Sequence, residues 1–225
     1  MPEVDPKDPP VTFMAQPEWL AMLEEAVSGP SADNWFAWYQ LGTMKYKDDP
    51  EAARDAWDKS LELAPNAWAM RNLAFYWYHL KDLPKAADCW MKAHDLAPEQ
   101  LQLAKECIKG MVWTGRFQEI LDWWPTLTEE IRSEMRMQII RGVALLGAGR
   151  FEEVEELLAT PFEMPDLREA EVIFSNLWND CHAGMLARDE GVEVNDEIRE
   201  RAERQFPVPE HLEFRVVKRL DAEVK

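Results

Sequence analysis

Histidines, cysteines and paired carboxylates are the residues through which this sequence could do chemistry, and none of them falls into a working pattern. His79, His94, His182 and His211 have no second ligand at HxxH, HxxxH or HxxE spacing, so no metal site is written here. Cys89, Cys107 and Cys181 are odd in number, far apart and without a CxxC pair, which excludes a disulfide framework and a zinc knuckle and fits a reducing cytoplasm. Cys181 and His182 are adjacent, and neighbours on a helix point in different directions, so a nucleophile–base dyad is not expected. Glu152, Glu153, Glu155 and Glu156 read as the solvated face of a short helix. There is no P-loop, no GxGxxG after a strand and no GxSxG. The sequence predicts a protein without catalytic residues, metal or cofactor of its own.

The elements that must carry any other activity are helical. The chain has 225 residues, 47% hydrophobic and 30% charged, an ordinary balance for a folded protein. A formal charge of −18 is concentrated late: residues 150–210 hold 17 acidic and 6 basic side chains, a net −11. Such a field repels nucleic acid and anionic lipid, so neither is an expected partner. No run approaches the ~18 apolar residues of a membrane span, and the acidic, proline-rich start, MPEVDPKDPP, lacks the apolar region of a signal peptide. A cytoplasmic location follows as the expectation.

Apolar spacing predicts a leading helix at 17–27, where Pro17 opens the first turn and Gly29-Pro30 stop it. Helix pairs are then predicted at 32–47 with 50–64, 67–80 with 84–97, 99–113 with 117–127, and 129–147 with 151–159. Asp49 and Asn66 are the expected caps. A long helix is predicted after Asp166, with Asp166 and Glu169 as a capping pair, and a last one at 195–205 capped by Asn195. Pro207 and Pro209 make the following tail extended or irregular. The expected organisation is a disordered segment at 1–16, helical repeats at 17–205 and a tail at 206–225.

The pairs repeat. LELAP at 61–65 returns as HDLAP at 94–98, with Ala53 and Trp57 returning as Ala86 and Trp90 at the same offset. Gly115-Arg116-Phe117 returns one such period later as Gly149-Arg150-Phe151. Trp38, Leu41-Gly42, Tyr46, Ala53, Trp57 and Pro65 follow the order W-x2-L-G-x2-Y, A-x3-F, P, with Tyr46 one place late and Trp57 for Phe. On these residues, and on a period of about 34 residues, the chain resembles the tetratricopeptide (TPR) repeat family. The resemblance implies an all-α, TPR-like α-solenoid of antiparallel helix pairs with an extended C-terminal tail. Small residues at Gly42, Ala53, Ala74 and Ala86 would let the helices approach, with large neighbours filling the space beside them.

The resemblance also implies a partner-binding groove, because the first helix of each TPR pair lines the concave face. Counted from Leu41-Gly42, that face would carry Phe36, Tyr39 and Tyr46, then Trp68, Arg71, Asn72, Phe75, Tyr78 and His79, then Lys105 and Lys109, then Arg136. Aromatic and arginine anchors of this kind dominate binding at protein interfaces. Arg71 has no evident partner on its own helix and is expected to seek an external carboxylate or carbonyl.

A second resemblance covers about residues 34–216. Trp68 to Ala74 (WAMRNLA), Asp166 to Glu171 (DLREAE), Leu177-Trp178 and Phe206 to Arg215 (FPVPEHLEFR) are similar, in order, to the C-terminal TPR region of a bacterial family. That family carries an N-terminal mutarotase-like β-sandwich domain related to carbohydrate-active enzymes. These 225 residues are expected to hold no counterpart of the sandwich, and the tail reads LEFRV where the family has LDFRM. The resemblance implies docking onto a separate subunit of that kind, with Trp68, Arg71, Asn72, Arg168 and Glu169 at the contact. Three readings stay open: a protein-binding scaffold, a helical accessory subunit lining a partner's sugar site, and a self-associating homodimer. The scaffold's partner is either such a β-sandwich subunit or a peptide with an acidic or C-terminal carboxylate end.

Overall fold

The computed structural model describes residues 4–10, 16–159 and 172–213. All regular structure among these residues is helical: twelve α-helices and two short 3-10 turns, without a strand. The helices divide between two compact units. One holds the described residues up to Arg116 together with Thr126–Arg132; the other holds Phe117–Pro125 and the described residues from Ser133 onward.

The first unit contains α1 (Pro17–Val27), α2 (Trp35–Lys45), α3 (Pro50–Leu63), α4 (Ala67–His79), α5 (Leu83–Leu96) and α6 (Leu101–Trp113). Their starts are set by local chemistry. The side chains of Asn34, Asp49, Asn66 and Asp82 each accept a hydrogen bond from the backbone N–H three residues on, satisfying a donor that the first helical turn leaves free. Packing pairs α2 with α3 and α4 with α5, and each helix also meets the next along the chain.

Aromatic side chains seated on glycines hold the helices together. Trp57 on α3 lies against Gly42 on α2, where a Cβ would come within 2.5 Å of the indole nitrogen. Trp90 on α5 lies against Gly110 on α6 in the same way, at 2.3 Å. Both tryptophans are buried, and Ala53, Ala74 and Ala86 are wholly so. Any side chain at these glycines would force the helices apart. Within the segment expected to be disordered, Val4 packs on this core and its carbonyl accepts from Trp35 Nε1 at 3.2 Å.

After α7 (Phe117–Trp123), which belongs to the second unit, the short α8 (Glu129–Ser133) falls within the first unit as far as Arg132. The second unit then continues with α9 (Met135–Gly147), α10 (Phe151–Ala159), α11 (Ile173–Glu190) and α12 (Asp196–Gln205). Phe117 and Phe151, from the two Gly-Arg-Phe turns, cover Gly147 on α9 and Gly184 on α11. Two predicted helices are shorter than expected. The one expected at 117–127 ends at Trp123 in a 3-10 turn, because Pro125 brings no N–H and favours an end to the helix. The one expected at 129–147 breaks at Glu134, whose extended backbone and side chain cap α9 by accepting from Met137 N at 2.9 Å.

The same left-handed stop ends α4, α6 and α9. Lys81, Gly115 and Gly149 have φ of 64°, 72° and 72°, and occupy matching places in successive repeats. At each, the N–H of the next residue reaches back to the carbonyl five residues earlier: Asp82 to Trp77, Arg116 to Met111, Arg150 to Leu145. This is a Schellman closure, which satisfies carbonyls the helix end would otherwise expose. The sequence repeat is therefore a repeat of local structure as well.

Past α12 the chain is tied to its own unit. Trp178 Nε1 donates to Phe206 O at 3.0 Å, and Leu212, in a 3-10 turn after Pro209, is fully buried. Asp166 and the capping pair expected there, with Arg168, Glu169 and Phe214, lie outside the described residues. No helix among the described residues is long and apolar enough to cross a membrane.

Candidate functional site

Residues singled out on α2 and α4 converge on one cleft of the first unit. It has a volume of about 350 Å³ and is walled by Thr43 and Tyr46 from the end of α2, by Trp57, and by Arg71, Asn72, Phe75 and His79 from α4. These positions meet because they recur at i, i+3/i+4 and i+7 along α2 and α4, one face of each helix.

A hydrogen-bonded line runs along the floor. Thr43 Oγ1 donates to the Tyr39 carbonyl at 3.0 Å and accepts from Asn72 Nδ2 at 3.3 Å. Asn72 Oδ1 accepts from Arg71 Nη1 at 3.1 Å. Arg71 then closes two parallel bonds onto Glu106 of α6, Nε to Oε2 at 2.6 Å and Nη2 to Oε1 at 2.8 Å. The Glu106 carboxylate holds the guanidinium firmly charged, outweighing the cost of its partial burial. The same guanidinium lies over the Phe75 ring, 4.9 Å from its centre.

At the mouth, Tyr46 shares a 2.5 Å hydrogen bond with His79 Nδ1, and the two rings stack 6.2 Å apart. Partial burial pushes the Tyr46 hydroxyl above its ordinary value, so it stays protonated through the neutral range. The cleft thus offers aromatic faces beside an amide, a hydroxyl, an imidazole and an arginine already neutralised by its partner.

This arrangement corrects one expectation. Arg71 has an internal carboxylate, Glu106, rather than a vacancy for an external one. The partner stands 35 residues on, so neither its own helix nor the spacing of one helical turn reveals it. The repeat period of about 34 residues was the available signal. Phe36 and Tyr39 are placed in the core, 1% and 3% exposed, because α2 is covered by α1, α3 and α4. Burial accordingly pushes the Tyr39 hydroxyl up. Trp68 is half-buried against the same core. Tyr78 faces Trp90 and Trp113, with ring centres 5.9 and 5.5 Å away. Lys105 and Lys109 lie on α6, Lys109 over the Trp113 ring; Arg136 lies on α9 in the second unit.

The nucleophile candidates sit in environments that silence them. Burial pushes the Cys89 thiol to about 11 and the Cys181 thiol to about 12, and raises Cys107 as well. Cys181 donates to the Phe151 carbonyl at 3.2 Å, while the ring of His182 lies between Trp178 and Phe206. Among the described residues, no three His, Cys, Asp or Glu side chains gather as metal ligands.

A second depression of about 600 Å³ lies along α1, α2 and α3, beside Trp38 and Leu41. An ion pair between Lys45 and Glu24, 2.5 Å long, crosses its edge, and it holds none of the residues expected to meet a partner. No protein-family model matches the chain, and no curated protein matches it significantly.

Proposed function

We propose that this chain is a non-catalytic, TPR-like α-solenoid scaffold of the cytoplasm that docks a protein partner in the cleft between α2 and α4. The observation that carries the reading is the cleft itself, with Tyr46, Phe75 and His79 at its walls and the Thr43–Asn72–Arg71–Glu106 line beneath. Rigid aromatic faces beside prepositioned polar groups are what a peptide segment meets at a binding hot spot. The helix pairs, and the Schellman stops recurring once per repeat at Lys81, Gly115 and Gly149, support the solenoid part of the reading. A separate β-sandwich subunit of the carbohydrate-active kind is the partner that the sequence resemblance suggests.

The mixture of Phe75 and Tyr46 rings with the Asn72 amide and Thr43 hydroxyl also favours a second reading, in which the chain is an accessory subunit lining a partner's sugar site. Stacking faces beside polar donors suit a pyranose ring.

The test is capture from native extract on immobilised chain, comparing wild type with Phe75→Ala and Asn72→Ala. Loss of one saturable partner in both variants, with their melting transitions kept, supports cleft docking. Equal capture by all three sinks it. A partner that is a β-sandwich enzyme, and whose sugar turnover rises when the chain is added, selects the accessory reading.

A further inference from the structure

Residues at the ends of α2, α4 and α6, one sequence repeat apart, form a ladder. Tyr46 caps α2, His79 ends α4 and Trp113 ends α6, one from each repeat. Ring contacts join them: Tyr46 to His79 at 6.2 Å, His79 to Tyr78 at 6.0 Å and Tyr78 to Trp113 at 5.5 Å. The band rests on the two buried tryptophans, Trp57 under Tyr46 and Trp90 under Tyr78 and Trp113. Its outer end is open, with Trp113 44% and Leu80 57% exposed.

Two lysines edge that end. Lys81 Nζ lies 5.4 Å from the Tyr78 ring centre, and Lys109 Nζ lies 5.4 Å from that of Trp113. The chain has 43 acidic residues against 25 basic ones, so cations beside an exposed apolar surface set this end apart. Lys45, Lys59 and Lys85 each have a carboxylate partner, in Glu24, Glu62 and Asp82. Lys81 and Lys109, like Lys7, Lys47 and Lys92, make no ion pair among the described residues; these two differ in lying over rings of the aromatic band. In a protein of net −18 this leaves a small cationic edge beside an exposed apolar surface, a charge pattern opposite to that of the chain as a whole.

We propose that the band from Tyr46 to Trp113 is a docking strip for an acidic peptide segment, whose carboxylates meet Lys81 and Lys109 while an aromatic or aliphatic side chain lies on Trp113 and Leu80. The proposal rests on the scaffold reading and names the chemistry of the partner. Charge sets which partner is accepted, since two cations stand beside the apolar anchor in a chain whose net charge disfavours acidic partners. The apolar anchor supplies the buried area.

The test selects binders from a random dodecapeptide display library on the full chain and measures enriched peptides by fluorescence anisotropy. Enriched sequences are expected to pair acidic residues with an aromatic or aliphatic one. Lys81→Glu/Lys109→Glu is expected to weaken them by about ten-fold or more, and added salt to weaken them further. Lys7→Glu/Lys92→Glu, which alters the net charge equally at other exposed positions, is expected to leave them unchanged. Basic or neutral enriched peptides, no enrichment, or full binding to the first double variant would overturn the proposal. Binding that survives that variant and is lost with Phe75→Ala or Asn72→Ala overturns it while leaving cleft docking intact.

Discussion

Arg71 on α4 and Glu106 on α6 form a two-pronged ion pair, 2.6 and 2.8 Å long, between two helices of the first unit. Planar guanidinium against planar carboxylate fixes the angle of approach as well as the distance. Both side chains keep about a third or more of their exposure, so water screens the pair and its contribution is modest.

A double-mutant cycle on Arg71→Ala and Glu106→Ala should therefore give a coupling of about 0.5–1 kcal/mol in urea unfolding, reduced by high salt. A coupling of zero would mean that the pair orients Asn72 without stabilising the fold.

Gly110 faces the ring of Trp90 with no room for a methyl group, since its Cβ would lie 2.3 Å from Cδ2 and Cε2 of a side chain with 0% exposure. Gly110→Ala is expected to destabilise by about 1–3 kcal/mol despite alanine's better helix propensity. An unchanged or raised unfolding midpoint would show that α5 and α6 part easily.

Lys81 occupies the left-handed position that Gly115 and Gly149 fill at the matching places of the next two sequence repeats. Lys81→Gly should relieve strain of about 1–2 kcal/mol at the loss of a weak contact with Tyr78, for a net gain of about 0.5–1 kcal/mol in chemical denaturation. Gly115→Ala, the reverse exchange in an open site, should lose about 1 kcal/mol.

His182 is 1% exposed, between the Trp178 and Phe206 rings, with Glu155 Oε1 3.8 Å from Nε2. Burial lowers its pKa below the ordinary 6.5, and Glu155 opposes that only in part. The unfolded chain then binds a proton at higher pH than the folded one, so stability falls as pH drops through about 6.5 toward the folded value. His94 is lowered by burial in the same sense. Urea unfolding at about pH 7.5 and about pH 5, on either side of the ordinary histidine range, should show this loss, and His182→Gln should reduce it. An identical pH dependence in the variant would show that His182 is not its source.

How much of this could be read from the sequence depended on whether the governing force was local. The starts of α3 and α4 were legible because Asp49 and Asn66 cap with their own side chains three residues away. The core roles of Trp57 and Trp90 were legible because Gly42, Ala53 and Ala86 recur around them at helical spacing. The break at Glu134 was not, since a glutamate inside a periodic segment favours helix by propensity and acts as a cap only if the chain turns there.

The candidate site divides in the same way. Sequence spacing alone determined the helical class, the repeat of the helix pairs and the strip that brings Tyr46, Arg71, Asn72, Phe75 and His79 to one face. Tertiary structure decided which members of that strip stay accessible and which are enclosed. Phe36 and Tyr39 are aromatic like Tyr46 and share its helix, yet α1, α3 and α4 enclose them. It also decided that Arg71 would be neutralised from within, by a carboxylate on α6, and that Lys81 and Lys109 would make no ion pair among the described residues. Periodicity records which side of a helix a residue occupies; what covers that side depends on segments distant in the chain, and only their packing settles it.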